Sequence, residues 1–270
     1  MRKYNLLAVV FFFILVQVMW INSASGARAQ RHFEKVYSFT AGGYISVNNV
    51  NGEVIVESWN RNEVKVEAEI EVRASSKRKA EKYLEEVEIV IDESKNRIEI
   101  AAEYPWQDKG FDGILSWLFG GGHPELKVSY HLFTPKEVNL FVKTVNGRIQ
   151  IHAVQGDIET HTTNGRIEVK NVAGTLNCKT VNGSILAELS EVGKFEEMAF
   201  KTVNGSITLS LPKNINADFE AKTVNGHIET DFPITLRGRI DRHRIRGCIN
   251  EGGGSIYLST VNGSIHVREF

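Results

Sequence analysis

The sequence predicts a mainly β chain: a parallel β-helix or β-roll-like solenoid of about nine-residue half-coils, 18–22 residues per coil, with an N-terminal α+β cap containing one helix. Three observations predict it. The word T-V-N-G recurs at 144, 180, 202, 223 and 260, each time followed by one polar residue and Ile. Gly147, Gly156, Gly165, Gly174 and Gly183 are spaced by nine residues four times running. Counted from each Gly as position 1, position 3 is Ile149, Ile158, Ile167, Leu176 and Ile185, and position 5 is Ile151, Thr160, Val169, Cys178 and Ala187. Positions 2, 4 and 6 are largely polar, so each unit holds a short strand with one buried face.

One nonapeptide cannot bury its apolar edge alone, but stacked copies can. Position 8, mostly Val (Val154, Val172, Val181, with Thr163), breaks the alternation after position 5. The chain is therefore expected to bend near positions 6 and 7 and to turn this Val inward. A second bend is expected at Gly, often preceded by Asn, because both accept left-handed backbone angles. Asn146, Asn164 and Asn182 are 18 residues apart, Asn204 and Asn225 follow after 22 and 21, and Asn262 closes the series. One coil is thus two nonapeptides. These six asparagines are expected to stack as a hydrogen-bonded ladder, in five or six coils making a rod of roughly 25–30 Å. A strict period of nine does not fit a triangular hexapeptide helix. A calcium roll of the same period needs G-G-x-G-x-D, whereas Asp157 is the one acid after these five glycines.

The elements ahead of the repeats read in order. Residues 1–29 have the layout of a secretory signal peptide: Arg2 and Lys3, an apolar stretch from Leu6 to Ile21 broken only by Gln17, then SASGARA with Ala27 and Ala29 in an A-x-A arrangement. Cleavage is expected before Gln30; the competing reading is an uncleaved anchor, for which about 16 apolar residues is short. Residues 30–135 form the cap region. Residues 44–72 hold three alternating runs joined by VNG and WNRNE turns. SSKRKAEKYLEEV at 75–87 switches to helical spacing, with Ser75 or Ser76 as cap and Ala80, Leu84 and Val87 (with Tyr83) as the apolar face. VEIVID and NRIEIAAEY follow as strands across an ESKN turn. Such a cap covers the open end of a repeat stack. Residues 136–270 are the TVNG-repeat solenoid, continuous with the cap.

Composition excludes several classes. The 270 residues carry 32 Lys+Arg and 33 Asp+Glu. The leader holds three of the basic residues and no acidic ones, so the remainder has a net charge of −4. Nothing marks a nucleic-acid binder. Five Pro and 23 Gly exclude collagen-like and disordered classes. No cofactor and no metal are expected: the two cysteines have no metal-type spacing, and the eight His lie scattered, without H-E-x-x-H or paired ligand spacing. An exported chain could join Cys178 to Cys248, but Cys178 falls on a core position and reads as a buried free thiol.

Two segments interrupt the repeats, and the candidate partner contacts lie there. PWQDKGFDGILSWLFGGGHP at 105–124 carries Trp106, Phe111, Trp117 and Phe119 among glycines. It either folds back over the cap or presents an aromatic contact to a partner, glycan or lipid surface. Residues 236–254 carry Arg242, Arg244 and Arg246 in a basic cluster, read either as a solvated loop or as a site for an anionic surface polymer. A lesser stripe is Lys143, His161, Lys179, Lys201 and Lys222, all at one position relative to the Asn. Stacked coils make it a column, either solubilising or anion-binding.

The opening VNNVNGEVIVESWNRNEVKVEA, followed by TPKEVNLFVKTVNGRIQI and the TVNG repeats, resembles the bacterial putative-adhesin β-strand-repeat family, a group of domains of unknown function. The resemblance covers about 40–268. It implies an exported parallel β-helix-like fold with no established catalytic residues, and for some relatives a part in envelope-stress responses. The aromatic and arginine-rich insertions depart from the family pattern.

Long β-helices also include carbohydrate-active enzymes, which need clustered carboxylates on one face. Here Glu159, Glu168 and Glu229 at position 4 alternate with Gln150, Asn177, Thr208 and Tyr257. Ser264 and His266 share a strand face, but the sequence shows no acid beside them to orient the His, so no triad is read. The sequence therefore points to a non-enzymatic, exported, adhesin-like protein of the periplasm, cell surface or exterior. Its partner would be an envelope component, glycan or protein, with peripheral membrane contact as a further option and no nucleic acid. The alternatives are a carbohydrate-active β-helix enzyme or an envelope-stress regulator.

Overall fold

The computed structural model describes residues 27–103, 124–191, 197–236 and 243–270. After β1 (Ala27–Ser38), β2 (Gly43–Asn48) and β3 (Val54–Trp59) make a first coil. Next come β4 (Glu63–Ala74), helix α1 (Lys77–Glu85), and the hairpin of β5 (Glu88–Ser94) and β6 (Arg97–Glu103). Strand β7 (Glu125–Pro135) leads into the repeats, where strands come in pairs. These are β8 (Val138–Lys143) and β9 (Ile149–His152), β10 (Ile158–His161) and β11 (Ile167–Ala173), β12 (Leu176–Lys179) and β13 (Ile185–Glu191). They continue with β14 (Glu197–Lys201) and β15 (Ile207–Leu211), then β16 (Ala217–Lys222) and β17 (Ile228–Thr230). The excursion β18 (Ile234–Leu236) and β19 (Arg244–Ile249) precedes the last pair, β20 (Gly254–Ser259) and β21 (Ile265–Glu269).

Two sheets result. One runs β1-β4-β7-β3-β9-β11-β13-β15-β21-β17, the other β18-β19-β16-β20-β14-β12-β10-β8-β2-β6-β5. The coil strands pair in parallel, and the antiparallel pairs, β1 with β4, β4 with β7, β5 with β6 and β19 with β16 and β18, sit at the ends. The inward faces meet in one core. Ile149, Ile167, Ile185, Ile207 and Ile265 from the first sheet, and Leu140, Ile158, Leu176, Met198 and Ile256 from the second, are all buried. These are the position-3 residues, and position 5 is buried likewise, so the nonapeptide reading holds. Both sheets cross the 135/136 line without interruption, because β3 pairs with β9 and β2 with β8.

The cap follows expectation at its helix. The Ser76 side chain accepts from the Lys79 backbone N–H, and Ala80 and Leu84 face the core. The helix lies against β1 and β4. Strand β1 begins at Ala27, and Ala29 is buried opposite Val72, so three residues of the expected leader stand in the sheet. Among the described residues no helix is long and apolar enough to cross a membrane. Both cysteines are buried and free, as read for Cys178. Strands β16, β20 and β14 lie between theirs, which sets them roughly 19 Å apart at strand spacing. Burial pushes the Cys178 thiol up to about 12.

Four expectations need correction. First, the Val of T-V-N-G faces solvent and its Thr faces the core. Val181, Val203, Val224 and Val261 are exposed, while Thr144, Thr162, Thr180, Thr202, Thr223 and Thr260 are buried. The strand alternation continues through the Thr, because its hydroxyl finds an acceptor inside: Thr180 donates to the Gly165 carbonyl at 3.1 Å and Thr202 to that of Gly183 at 2.9 Å. At the opposite corner the alternation breaks sooner, directly after position 5, where Ala153 and Asn171 take positive φ and Val154 and Val172 do turn inward.

Second, the repeated Gly of the asparagine corner answers to close stacking. A Cβ on Gly165 would lie 1.9 Å from the Gly147 carbonyl oxygen. Third, the ladder does not follow chain order. Asn262 bridges both Asn204 and Asn225, so the C-terminal coil is inserted between two earlier ones. Fourth, Asn51 of the supposed cap is the first rung, and the ladder has seven: Asn51, Asn146, Asn164, Asn182, Asn204, Asn262 and Asn225. Each Nδ2 donates to the preceding Oδ1 at 2.7–2.8 Å, and Asn51 donates to the Leu126 carbonyl at 3.3 Å.

Candidate functional site

The asparagine corner carries three outward columns that the stacking generates from one repeated word. On the side of the second sheet, strand register sets Asn48, Lys143, His161, Lys179, Lys201, Ser259, Lys222 and Arg244 next to one another. The lysine stripe read from the sequence therefore exists, with Ser259 interposed by the inserted coil and Arg244 extending it. Lys143, Lys179, Lys201 and Lys222 are exposed. His161 pairs with Glu159 at 2.9 Å, Arg244 with Glu220 at 2.8 Å, and Lys201 lies 5.3 Å from the Tyr257 ring centroid. At the apex stand the valines, with Val224 the most open at 51%. On the far side, Arg148 and Arg166 are exposed in the position after the Gly. The corner is an apolar crest with the basic column on one side and, at two coils, Arg148 and Arg166 on the other.

A second constellation lies on the outer face of the first sheet at its last two coils. Insertion of β21 beside β17 sets His266 against Glu229 and Val267 against Thr230. Glu229 bonds both histidines: its Oε1 is 3.2 Å from His227 Nε2 and its Oε2 is 3.0 Å from His266 Nδ1. Ser264 Oγ is 3.0 Å from His227 Nδ1. Arg268 donates to Glu229 at 3.3 Å and to Asp231 at 3.0 Å. The hydrogen bond to His266 and the charges of His266, His227 and Arg268 hold the Glu229 carboxyl below its usual value, against a smaller opposing effect of burial.

The acid that the sequence reading found missing beside Ser264 and His266 is thus present, supplied by the neighbouring strand. Sequence spacing hid it, because Glu229 and His266 are 37 residues apart. The available signal was H-x-E at 227–229, which alternation puts on one strand face. Ser264, His227 and Glu229 are connected as nucleophile, base and acid would be, but Glu229 is shared with His266 and Arg268, and both His227 and Glu229 face solvent.

The structure treats the remaining expectations unevenly. Trp106, Phe111, Trp117, Phe119 and Arg242 lie outside the described residues. Arg244 and Arg246 are on a strand rather than a loop, and both approach Glu220, at 2.8 and 4.0 Å. Three shallow clefts flank the stack. One is lined by Ser190, Pro212, Asn216 and Glu251, one by Glu220, Arg246 and Tyr257, and one by Glu57, His131, His152 and Lys170. None of them includes the His227–His266 group.

Fold and surface together define a two-sheet parallel β-solenoid with a seven-rung asparagine corner. Residues 138–268 match the model of the Toastrack DUF4097 family, so the repeat region is similar to that family. Three solved structures are similar to the chain. A putative cell adhesion protein from Clostridium sporogenes is 12% identical, with 88% of this chain and 99% of that one covered and a TM-score of 0.46. A putative adhesin from Bacteroides fragilis is 9% identical, with 87% and 96% covered and a TM-score of 0.41. A putative lipid binding protein from Parabacteroides distasonis is 10% identical, with 87% and 96% covered and a TM-score of 0.30. No curated protein matches the chain.

Proposed function

We propose that this chain is an exported, non-enzymatic, adhesin-like scaffold that lays its asparagine corner along a negatively charged polymer of the cell envelope. The observation that carries the reading is the column of Lys143, His161, Lys179, Lys201, Lys222 and Arg244 at strand spacing beside the exposed valine crest. Its charges are arranged as a line, the shape that suits an extended anionic chain better than a small substrate. Among the described residues no carboxylate pairs with Lys143, Lys179 or Lys222. The aromatic segment with Trp106, Phe111, Trp117 and Phe119 enters this reading as a second contact. The leader of residues 1–29 supplies export.

The test is binding of the folded chain to anionic and neutral envelope polysaccharides at two salt concentrations. Replacing Lys143, Lys179, Lys201 and Lys222 together by Gln is expected to weaken anionic binding about tenfold or more, at up to about 1 kcal/mol per exposed ion pair. Added salt is expected to do the same to the parent. Deletion of 105–124 measures the second contact. Binding that ignores both the four substitutions and salt refutes the reading.

A further inference from the structure

We infer that His227, Glu229 and His266 form a binding site for a divalent ion of the zinc class at the last two coils. Each residue offers one ligand atom, and the three atoms all lie within 4.8 Å of one another. Two imidazoles and a carboxylate are a donor set that suits zinc, with copper and nickel as competitors and magnesium or calcium disfavoured. Donors about 2.0–2.1 Å from a tetrahedral ion stand about 3.3–3.4 Å apart. The His–Glu separations, 3.2 Å from His227 to one Glu229 oxygen and 3.0 Å from His266 to the other, are close to that, so either oxygen already stands near one imidazole. The remaining gap closes by rotation of His227, whose side chain is 63% exposed.

The surroundings are built as a ligand set requires. Ser264 Oγ is 3.0 Å from His227 Nδ1, and by accepting from Nδ1–H it would leave Nε2, which faces Glu229, free to ligate. Among the described residues Arg268 is the one cation in contact with the group, and Asp231 draws it aside through its other nitrogen at 3.0 Å. Glu229 and Asp231 against Arg268 leave the site one negative charge in excess, which favours a divalent cation. The three protein ligands leave a fourth position open toward solvent, where water binds.

Among the described residues, the repeat produces such a set nowhere else along this face. The equivalent positions one coil away are Ser206 and Thr208, and two coils away Ser184 and Leu186. The site exists because the C-terminal coil is inserted beside β17, where the ion would link the three-residue edge strand to its neighbour.

The experiment is competition for Zn2+ between the full chain and a chromophoric chelator, with Co2+ absorption as a second readout. Saturable 1:1 binding is expected. His227→Ala, His266→Ala and Glu229→Gln should each weaken it about tenfold or more, and Ser264→Ala about tenfold, in the range for residues that support a ligand. His131→Ala, which removes the His beside Glu57 and Glu67, should leave it unchanged. The visible Co2+ band should vanish in His227→Ala. Circular dichroism checks that these surface variants fold. Absence of saturable Zn2+ binding, or equal affinity in the double variant His227→Ala/His266→Ala, overturns the proposal. The four lysine substitutions should bind Zn2+ as the parent does, which separates this site from the polymer-binding reading.

Discussion

At the asparagine corner every coil uses the same length of chain. Five residues separate β2 from β3, β8 from β9, β10 from β11, β12 from β13, β14 from β15, β16 from β17 and β20 from β21. At the opposite corner the count is five between β9 and β10, two between β11 and β12, and 23 between β17 and β20, an interval that includes β18 and β19. Both corners reverse the chain, yet only one is copied. The copied corner stacks side chain on side chain: Asn on Asn, Thr hydroxyl on Gly carbonyl, Gly on Gly. Each Asn and each Gly there has an identical neighbour one strand spacing away, so a change of length or shape in an inner coil is felt by two others. The opposite corner has bridges at Glu137, Gln155 and Ala173 alone among the described residues, and it is where every insertion leaves the stack. Repetition in this sequence therefore marks a packing constraint, and the individual features emerge where that constraint ends.

The largest effect is expected from breaking the copied corner sterically. Gly165→Ala puts a methyl 1.9 Å from the Gly147 carbonyl oxygen, and backbone rather than a flexible side chain must yield. The coils on either side share both sheets, so they cannot part locally. A loss of about 3 kcal/mol is expected, at the upper end for overpacking, read from the urea midpoint at unchanged slope. A loss below about 1 kcal/mol would show that the coils slide past one another, and that the glycine column is a habit of the sequence rather than a requirement.

A smaller effect sharpens the same comparison. Asn182 both donates to Asn164 and accepts from Asn204, whereas Asn225, the last rung, donates to Asn262 and accepts from no further rung. With about 0.5–1.5 kcal/mol net for each hydrogen bond, Asn182→Ala should cost about 1–2 kcal/mol and Asn225→Ala about half of that. Urea melts of both variants check the ratio. Equal losses would mean that each rung acts alone through its own turn and that the ladder transmits nothing between coils.

Much of this architecture was legible in the sequence, and the exceptions have physical causes. The nine-residue period, the position-3 and position-5 core, the asparagine ladder and the Ser76-capped helix all follow from local alternation and turn chemistry. Polarity alone predicts an inward Val, because Thr is the more polar residue. A threonine whose hydroxyl meets a carbonyl inside the stack is buried at less cost than its side chain suggests, and the exposed Val then stands on the crest. The coil order was not legible, because nothing local distinguishes a C-terminal coil that caps the stack from one inserted within it. That single topological step hid the Ser264–His227–Glu229–His266 group, whose members come from strands separated by the β18–β19 excursion. It also placed Ser259 between Lys201 and Lys222 in the basic column.

The smallest effect carries the opposite sign. Ala153 turns the opposite corner at φ 59°, a left-handed conformation that costs a residue with a Cβ roughly 1–2 kcal/mol. The corner keeps it because the backbone is held on both sides: the Ala153 N–H donates to the Lys170 carbonyl at 3.0 Å, and its own carbonyl accepts from Ser58 Oγ at 2.6 Å. Neither bond uses the methyl. Ala153→Gly should relieve the strain while loosening the unfolded chain by about 0.4–1 kcal/mol, leaving a net gain of up to about 1 kcal/mol. The same exchange of one methyl is thus expected to stabilise one corner and, run in reverse at Gly165, to wreck the other. Should Ala153→Gly instead lose stability in a urea melt, the methyl is holding the turn by packing, and the two corners differ in degree rather than in kind.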